Sequence, residues 1–175
     1  MRKTKGELKN NCLATEIVLS KSDAASLVRK KFFFIPPQIH SMKMRYVPCW
    51  WVVLDFTVGF FGNKNQVEGR LNFIVDEIKG CGLVDESVRI KLAKKKIESH
   101  ELVEIRLSED QAVKKATVDA RWKVVLGKYK KPPELELVST KIFYRPYFEV
   151  DYSYGQDIMT QWIPVDNYGS YLAYR

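Results

Sequence analysis

Parts of this chain occur twice, and that repetition constrains its fold more than any other feature. The stretch Thr15-Glu16-Ile17-Val18-Leu19-Ser20-Lys21-Ser22-Asp23-Ala24-Ala25 returns as Val103-Glu104-Ile105-Arg106-Leu107-Ser108-Glu109-Asp110-Gln111-Ala112-Val113, at an offset of 88, with Glu, Ile, Leu, Ser and Ala in register. Each copy reads as an extended lead-in ending at a serine that caps a helix. The hydroxyl takes up an unpaired N–H of the first turn, and acidic residues there suit the helix dipole. After Ser20, helical spacing aligns Ala24, Leu27 and Val28, with Lys31 and Phe32 at the end. After Ser108 it aligns Ala112, Val113, Ala116 and Ala120. The pairs Pro36-Pro37 and Pro132-Pro133 close the two connections.

A second repeated block follows. Lys43-Met44-Arg45-Tyr46-Val47-Pro48-Cys49-Trp50 parallels Lys141-Ile142-Phe143-Tyr144-Arg145-Pro146-Tyr147-Phe148 at an offset of 98. Both blocks continue with alternating periodicity. Trp50, Val52, Leu54, Phe56 and Val58 share one face of the first strand, and Phe148, Val150, Tyr152 and Tyr154 share one face of the second. Turns near Gly62-Asn63 and Gly155-Gln156 lead to return strands ending Val75-Asp76 and Val165-Asp166. Glycines follow at Gly80 and Gly169, then short closing strands at Leu83-Val84 and Tyr171-Leu172. The expectation is an α+β protein made of two repeats, each with one helix packed on a small antiparallel β-sheet. Residues 1–14 form a basic N-terminal segment, 15–86 the first repeat, 87–102 a basic linker or connecting helix, and 103–175 the second repeat. Two such units gain by packing together, since 60 to 70 residues alone make a marginal core.

This order of features resembles the PepSY family, in which Ser-x-x-x-Ala opens a helix and a strand ending Val-Asp precedes a glycine turn. The matching residues are Ser108, Ala112, Phe148-Glu149-Val150, Val165-Asp166 and Gly169. The first copy matches through Ser20, Ala24, Trp50-Trp51-Val52, Val75-Asp76 and Gly80. The resemblance covers the chain from about residue 15 onward and implies one helix on a small antiparallel sheet. It also implies an inhibitory or accessory binding role of the kind associated with protease propeptides, and no catalytic residue set.

The residues themselves point the same way. G-x-G-x-x-G, P-loop and G-x-S-x-G signatures are absent. Cys12, Cys49 and Cys81 are odd in number and have no C-x-x-C spacing, and His40 and His100 lack ligand-spaced partners. No catalytic residue, metal or cofactor is therefore expected. Asp76 and Asp166 occupy equivalent strand ends, where capping the turn before glycine is the simpler role. No apolar run approaches the length of a membrane-spanning helix, and no signal-peptide apolar region precedes Ser20. The sequence as it stands reads as cytoplasmic, and would read as extracytoplasmic had an export signal or anchor been removed.

Two surfaces stand out as candidates. The formal charge of +8 is divided evenly, with 13 Lys/Arg against 9 Asp/Glu in residues 1–87 and 16 against 12 in residues 88–175. Its local concentrations are residues 89–96, with Lys94, Lys95 and Lys96, and residues 121–131, with Arg121, Lys123, Lys128, Lys130 and Lys131. These form a candidate anion or nucleic-acid patch, set against the plainer reading of a solvated linker or helix face. The other surface comes from the difference between the copies. Opposite the core face, the second strand shows Tyr147, Glu149, Asp151 and Ser153, whereas the first shows Cys49, Trp51 and Val53. Three apolar groups there need covering, either by the rest of the fold or by a protein partner or second copy. The leading expectation is a non-enzymatic protein-binding or assembly module, with a nucleic-acid-associated protein as the alternative.

Overall fold

The structure, a computed structural model, describes residues 9–30, 36–59, 66–84, 90–122, 131–166, 168 and 172–174. The expected turn at Gly62-Asn63, together with Lys31, Phe32, Gly169 and Tyr171, lies outside them. The first series of elements is β1 (Lys9–Ala14), α1 (Lys21–Lys30), β2 (Gln38–Gly59), β3 (Gln66–Asp76) and β4 (Gly80–Val84). The second is β5 (Ala93–Glu98), α2 (Glu109–Asp119), β6 (Glu134–Tyr154), β7 (Asp157–Pro164) and β8 (Leu172–Tyr174). Both helices start as their serines require. The Ser108 hydroxyl accepts from the Gln111 backbone N–H while the Gln111 side chain accepts from the Ser108 N–H. Ser20 and Asp23 exchange the equivalent bonds.

The expected pair of small sheets, and with it the arrangement implied by the PepSY resemblance, does not form. Strand outweighs helix, and the strands bond in the single order β5-β1-β6-β2-β3-β4-β8, with β7 paired to β6. The sheet is mixed, since β1 meets β6 in parallel while β1–β5, β2–β3, β3–β4, β4–β8 and β6–β7 pair antiparallel. The physical reason lies in strand length. Helix α1 has 10 residues and is about 15 Å long. Strand β2 has 22 residues, far more than the roughly five that such a length of strand contains. It begins beside α1 and runs on, through Pro48, to pack under α2.

Two compact units result, each drawn from both series. One comprises Met1–Pro48, Ile90–Glu104 and Phe143–Gly169, the other Cys49–Arg89, Ile105–Ile142 and Ser170–Arg175. In the first, Ala24 and Val28 of α1 pack on Phe148, Val150 and Tyr152 of β6 and on Ile163 and Val165, flanked by Ile39, Met42 and Met44 of β2. In the second, Ala112, Ala116 and Ala120 pack with Leu107 on Val52, Leu54, Phe56 and Val58 of β2 and Leu71, Phe73 and Val75 of β3. Each helix thus covers strands of the other series.

Residues 87–102, expected as a linker or connecting helix, contain strand β5. Its alternation explains why. Ile97 is buried with Ala14 and Tyr46, and Lys95 lies over the Tyr46 ring, 5.0 Å from its centroid. Lys94 and Lys96 are exposed. β5 pairs antiparallel with β1, from Lys9↔Glu98 to Ala14↔Ala93. The lead-ins then dock in parallel at equivalent places, Ala14 on Tyr144 and Leu102 on Tyr46. These positions are related by the offsets 88 and 98 read from the sequence.

One glycine is fixed by packing. Gly69 pairs with Phe56 across β2 and β3, and a Cβ there would sit 2.5 Å from Cε1 of the Phe56 ring. Gly69→Ala is therefore expected to lower stability by about 1–3 kcal/mol in urea unfolding. In a double-mutant cycle, Phe56→Leu should recover part of that loss by removing the ring that collides.

Candidate binding groove on helix α2

The three alanines on the inner face of α2 are fully buried, so the helix lies close to its sheet. The helix flank that follows carries Gln111, Lys114, Lys115, Val118 and Asp119. Beside it the β3–β4 turn presents Glu77, Lys79, Gly80 and Cys81. That turn is held by Asp76, whose carboxylate accepts from the backbone N–H groups of Ile78 and Lys79, and by Gly80 at φ +87°, a conformation that favours glycine. Arg106 and Leu107 complete the wall from the lead-in to α2, enclosing a groove of about 690 Å³. Lys79, Arg106, Lys114 and Lys115 are exposed along its rim, and Leu107 is buried at its base. Trp50 fixes the Leu107 backbone by donating its indole N–H to the Leu107 carbonyl, at 2.8 Å. One turn beyond Val118, Trp122 is 62% exposed.

The three cations that α2 and its lead-in supply have no counterpart in the first series. At the offset of 88, Arg106, Lys114 and Lys115 correspond to Val18, Ser26 and Leu27. The sequence reading missed the groove because its cations are scattered from position 79 to 115 and meet only once the β3–β4 turn lies beside α2. The signal that could have found them is that substitution between the two copies of the helix.

The residues singled out from the sequence are placed differently. Lys94, Lys95 and Lys96 lie on β5 in the first unit, whereas Arg121, exposed after α2, and Lys131, whose ammonium reaches the Gly59 carbonyl at 3.5 Å, lie in the second. Lys123, Lys128 and Lys130 are outside the described residues. On β5 the run of lysines is divided between two faces, and an edge strand carrying lysines resists pairing with other chains. Cys49 is fully buried, with its thiol 3.9 Å from the Asp76 carboxylate, and offers no surface. Trp51 and Val53 are half-buried, and the Trp51 indole donates to Asn72 Oδ1 at 3.2 Å.

Asp166, expected to cap a turn as Asp76 does, has another main role. It accepts two bonds from the buried Arg145 guanidinium and one from the Thr15 hydroxyl, as well as one from the Tyr168 N–H. Asp55 is held below the usual carboxylate range by its bonds from Arg70, and Asp151 by the hydroxyls of Ser41 and Thr160. Burial pushes the Cys12 thiol up, which disfavours a reactive thiolate. Among the described residues no group of three or more His, Cys, Asp or Glu could hold a metal ion, and no helix is long and apolar enough to cross a membrane. No protein-family model matches this chain, and no curated protein or solved structure matches it either.

Proposed function

We propose that this chain is a non-catalytic protein-binding module whose α2 groove takes an acidic peptide segment carrying an apolar anchor. The observation that supports this reading is the groove's make-up: Lys79, Arg106, Lys114 and Lys115 line it together with the apolar side chains of Leu107, Cys81 and Val118. Cations on the rim steer and orient an acidic partner, while burial of an apolar side chain against the apolar lining supplies most of the affinity. Glu77 and Asp119 also line the groove. Their charges oppose a polyphosphate backbone but suit a peptide with mixed polar groups, which favours protein over nucleic acid.

The test is fluorescence anisotropy with a labelled peptide of alternating Glu and Leu, compared with a Lys-Leu peptide and single-stranded DNA of similar length. The acidic peptide should bind, and Lys114→Glu with Lys115→Glu should weaken it by about tenfold or more, an expectation from losing two attractive contacts and gaining two repulsive ones. Both side chains are exposed, so the fold should survive, as circular dichroism would show. Equal binding by the Lys-Leu peptide, or tighter binding of the DNA that the same charge reversals abolish, would overturn the protein-binding reading.

A further inference from the structure

Strand β7 pairs with β6 along one side, from Tyr147↔Pro164 to Tyr154↔Asp157, and no other strand of the described residues pairs with it. Edge strands usually carry charges that discourage further pairing, and β5 carries three lysines. β7, Asp-Ile-Met-Thr-Gln-Trp-Ile-Pro, carries no lysine, and its one charge, Asp157, stands at its first residue. Its alternation turns Ile163 toward the α1 core, with Met159 packed against it. Ile158, Thr160 and Trp162 therefore turn to the opposite face. Ile158 is 78% exposed, the highest value among the exposed large hydrophobic residues described.

From this edge we propose that two copies of the chain associate through β7, antiparallel, about a two-fold axis at Thr160. A two-fold axis normal to the sheet pairs residues of equal parity, so the two copies keep the same faces. Centred on Thr160, the pairing sets Ile158 of each copy opposite Trp162 of the other, covering the exposed isoleucine twice. Met159 then faces Gln161, and Pro164 falls outside the paired stretch, where its missing N–H does no harm. Centring on Gln161 instead would place Ile158 against Pro164 and lose the contact with Trp162. The same face of the strand that packs on α1 carries a second mark. The Gln161 Oε1 is buried without a hydrogen-bond partner in the single chain. In the pair, the two Gln161 residues are diagonal neighbours, within reach of long side chains, so a turn of each buried carboxamide toward the edge lets its N–H donate to the other's oxygen.

Sedimentation velocity of the full chain over a concentration series tests the pairing, together with disulfide trapping. Wild-type protein should pass from monomer to dimer as concentration rises, and Ile158→Lys should raise the midpoint by about tenfold or more, as a charged edge does. Under mild oxidation Thr160→Cys should give a covalent dimer. Asp157→Cys, which faces Ile163 in this register, should not exceed the wild-type background from Cys12 and Cys81. A wild-type chain that remains monomeric to about 1 mM, an Ile158→Lys dimer of unchanged midpoint, or equal trapping at positions 157 and 160 would overturn the proposal. The α2 groove plays no part in these readings, so failure here leaves the peptide-binding result separate.

Discussion

Replacing Arg145 with methionine is expected to destabilise the first unit by about 3–5 kcal/mol, the range for removing one partner of a buried ion pair. Both side chains of the Arg145–Asp166 pair are fully buried. The guanidinium donates to both carboxylate oxygens, from Nε at 2.9 Å and from Nη2 at 2.7 Å. The Tyr147 hydroxyl lies 3.3 Å from Nη1, and the Thr15 hydroxyl reaches the same carboxylate at 2.9 Å. Methionine fills much of the volume but leaves the Asp166 carboxyl group in a dry site with one hydroxyl and one backbone N–H in place of the guanidinium. Against a typical total stability of about 5–15 kcal/mol, that loss is a large fraction. The double change Arg145→Met with Asp166→Leu should lose much less, because no uncompensated charge remains. Urea unfolding of the three proteins measures both effects. A single variant as stable as the wild type would show that the pair is not desolvated.

The pair also shows where sequence reading runs out. Arg145 aligns with Val47 and Asp166 with Asp76, so the repeat itself suggests no more than a turn cap at Asp166. At Asp76 the cap does form, through the N–H groups of Ile78 and Lys79. At Asp166 the side chain turns inward because an arginine stands where the other copy has valine. Only the cross-chain meeting of positions 15, 145 and 166 reveals it.

What was legible is local. Ser20 and Ser108 cap their helices because capping needs only the neighbouring turn. Val52, Leu54, Phe56 and Val58 are buried because alternation along a strand needs no knowledge of its partner. What was not legible is the identity of the surface beneath each helix. The face containing Val52 and Leu54 and the face containing Val150 and Tyr152 are both apolar with the same period. Ala24 and Val28 would satisfy either. Pro48 reads as the start of a strand, yet β2 passes through it without a break, so one strand supplies residues to both cores. The lysine run suffered the opposite error. Lys94, Lys95 and Lys96 adjoin in sequence but alternate in space, whereas the groove cations are distant in sequence and adjacent in space.

Val28→Asp decides which strands α1 stabilises. Val28 is fully buried in the cluster with Phe148, Val150, Tyr152, Ile163 and Val165. A carboxylate there has no partner of opposite charge in that cluster, and its burial is expected to cost at least about 3 kcal/mol. Hydrogen exchange locates the damage, because local opening exposes the amides of the strands that lose their cover. With α1 on β6 and β7, the amides of residues 148–152 and 163–165 should lose protection first, while those of residues 71–75 keep more of theirs. A helix packed on the strands of its own series would reverse that order, since Val52, Leu71 and Phe73 would then lie beneath it. Ala116→Asp is the mirror experiment. It should unprotect residues 52–58 and 71–75 and spare residues 148–152, because the alanines of α2 rest on β2 and β3. Opposite patterns in the two variants would establish that each helix depends on strands contributed by the other half of the chain, so that neither half completes its core alone.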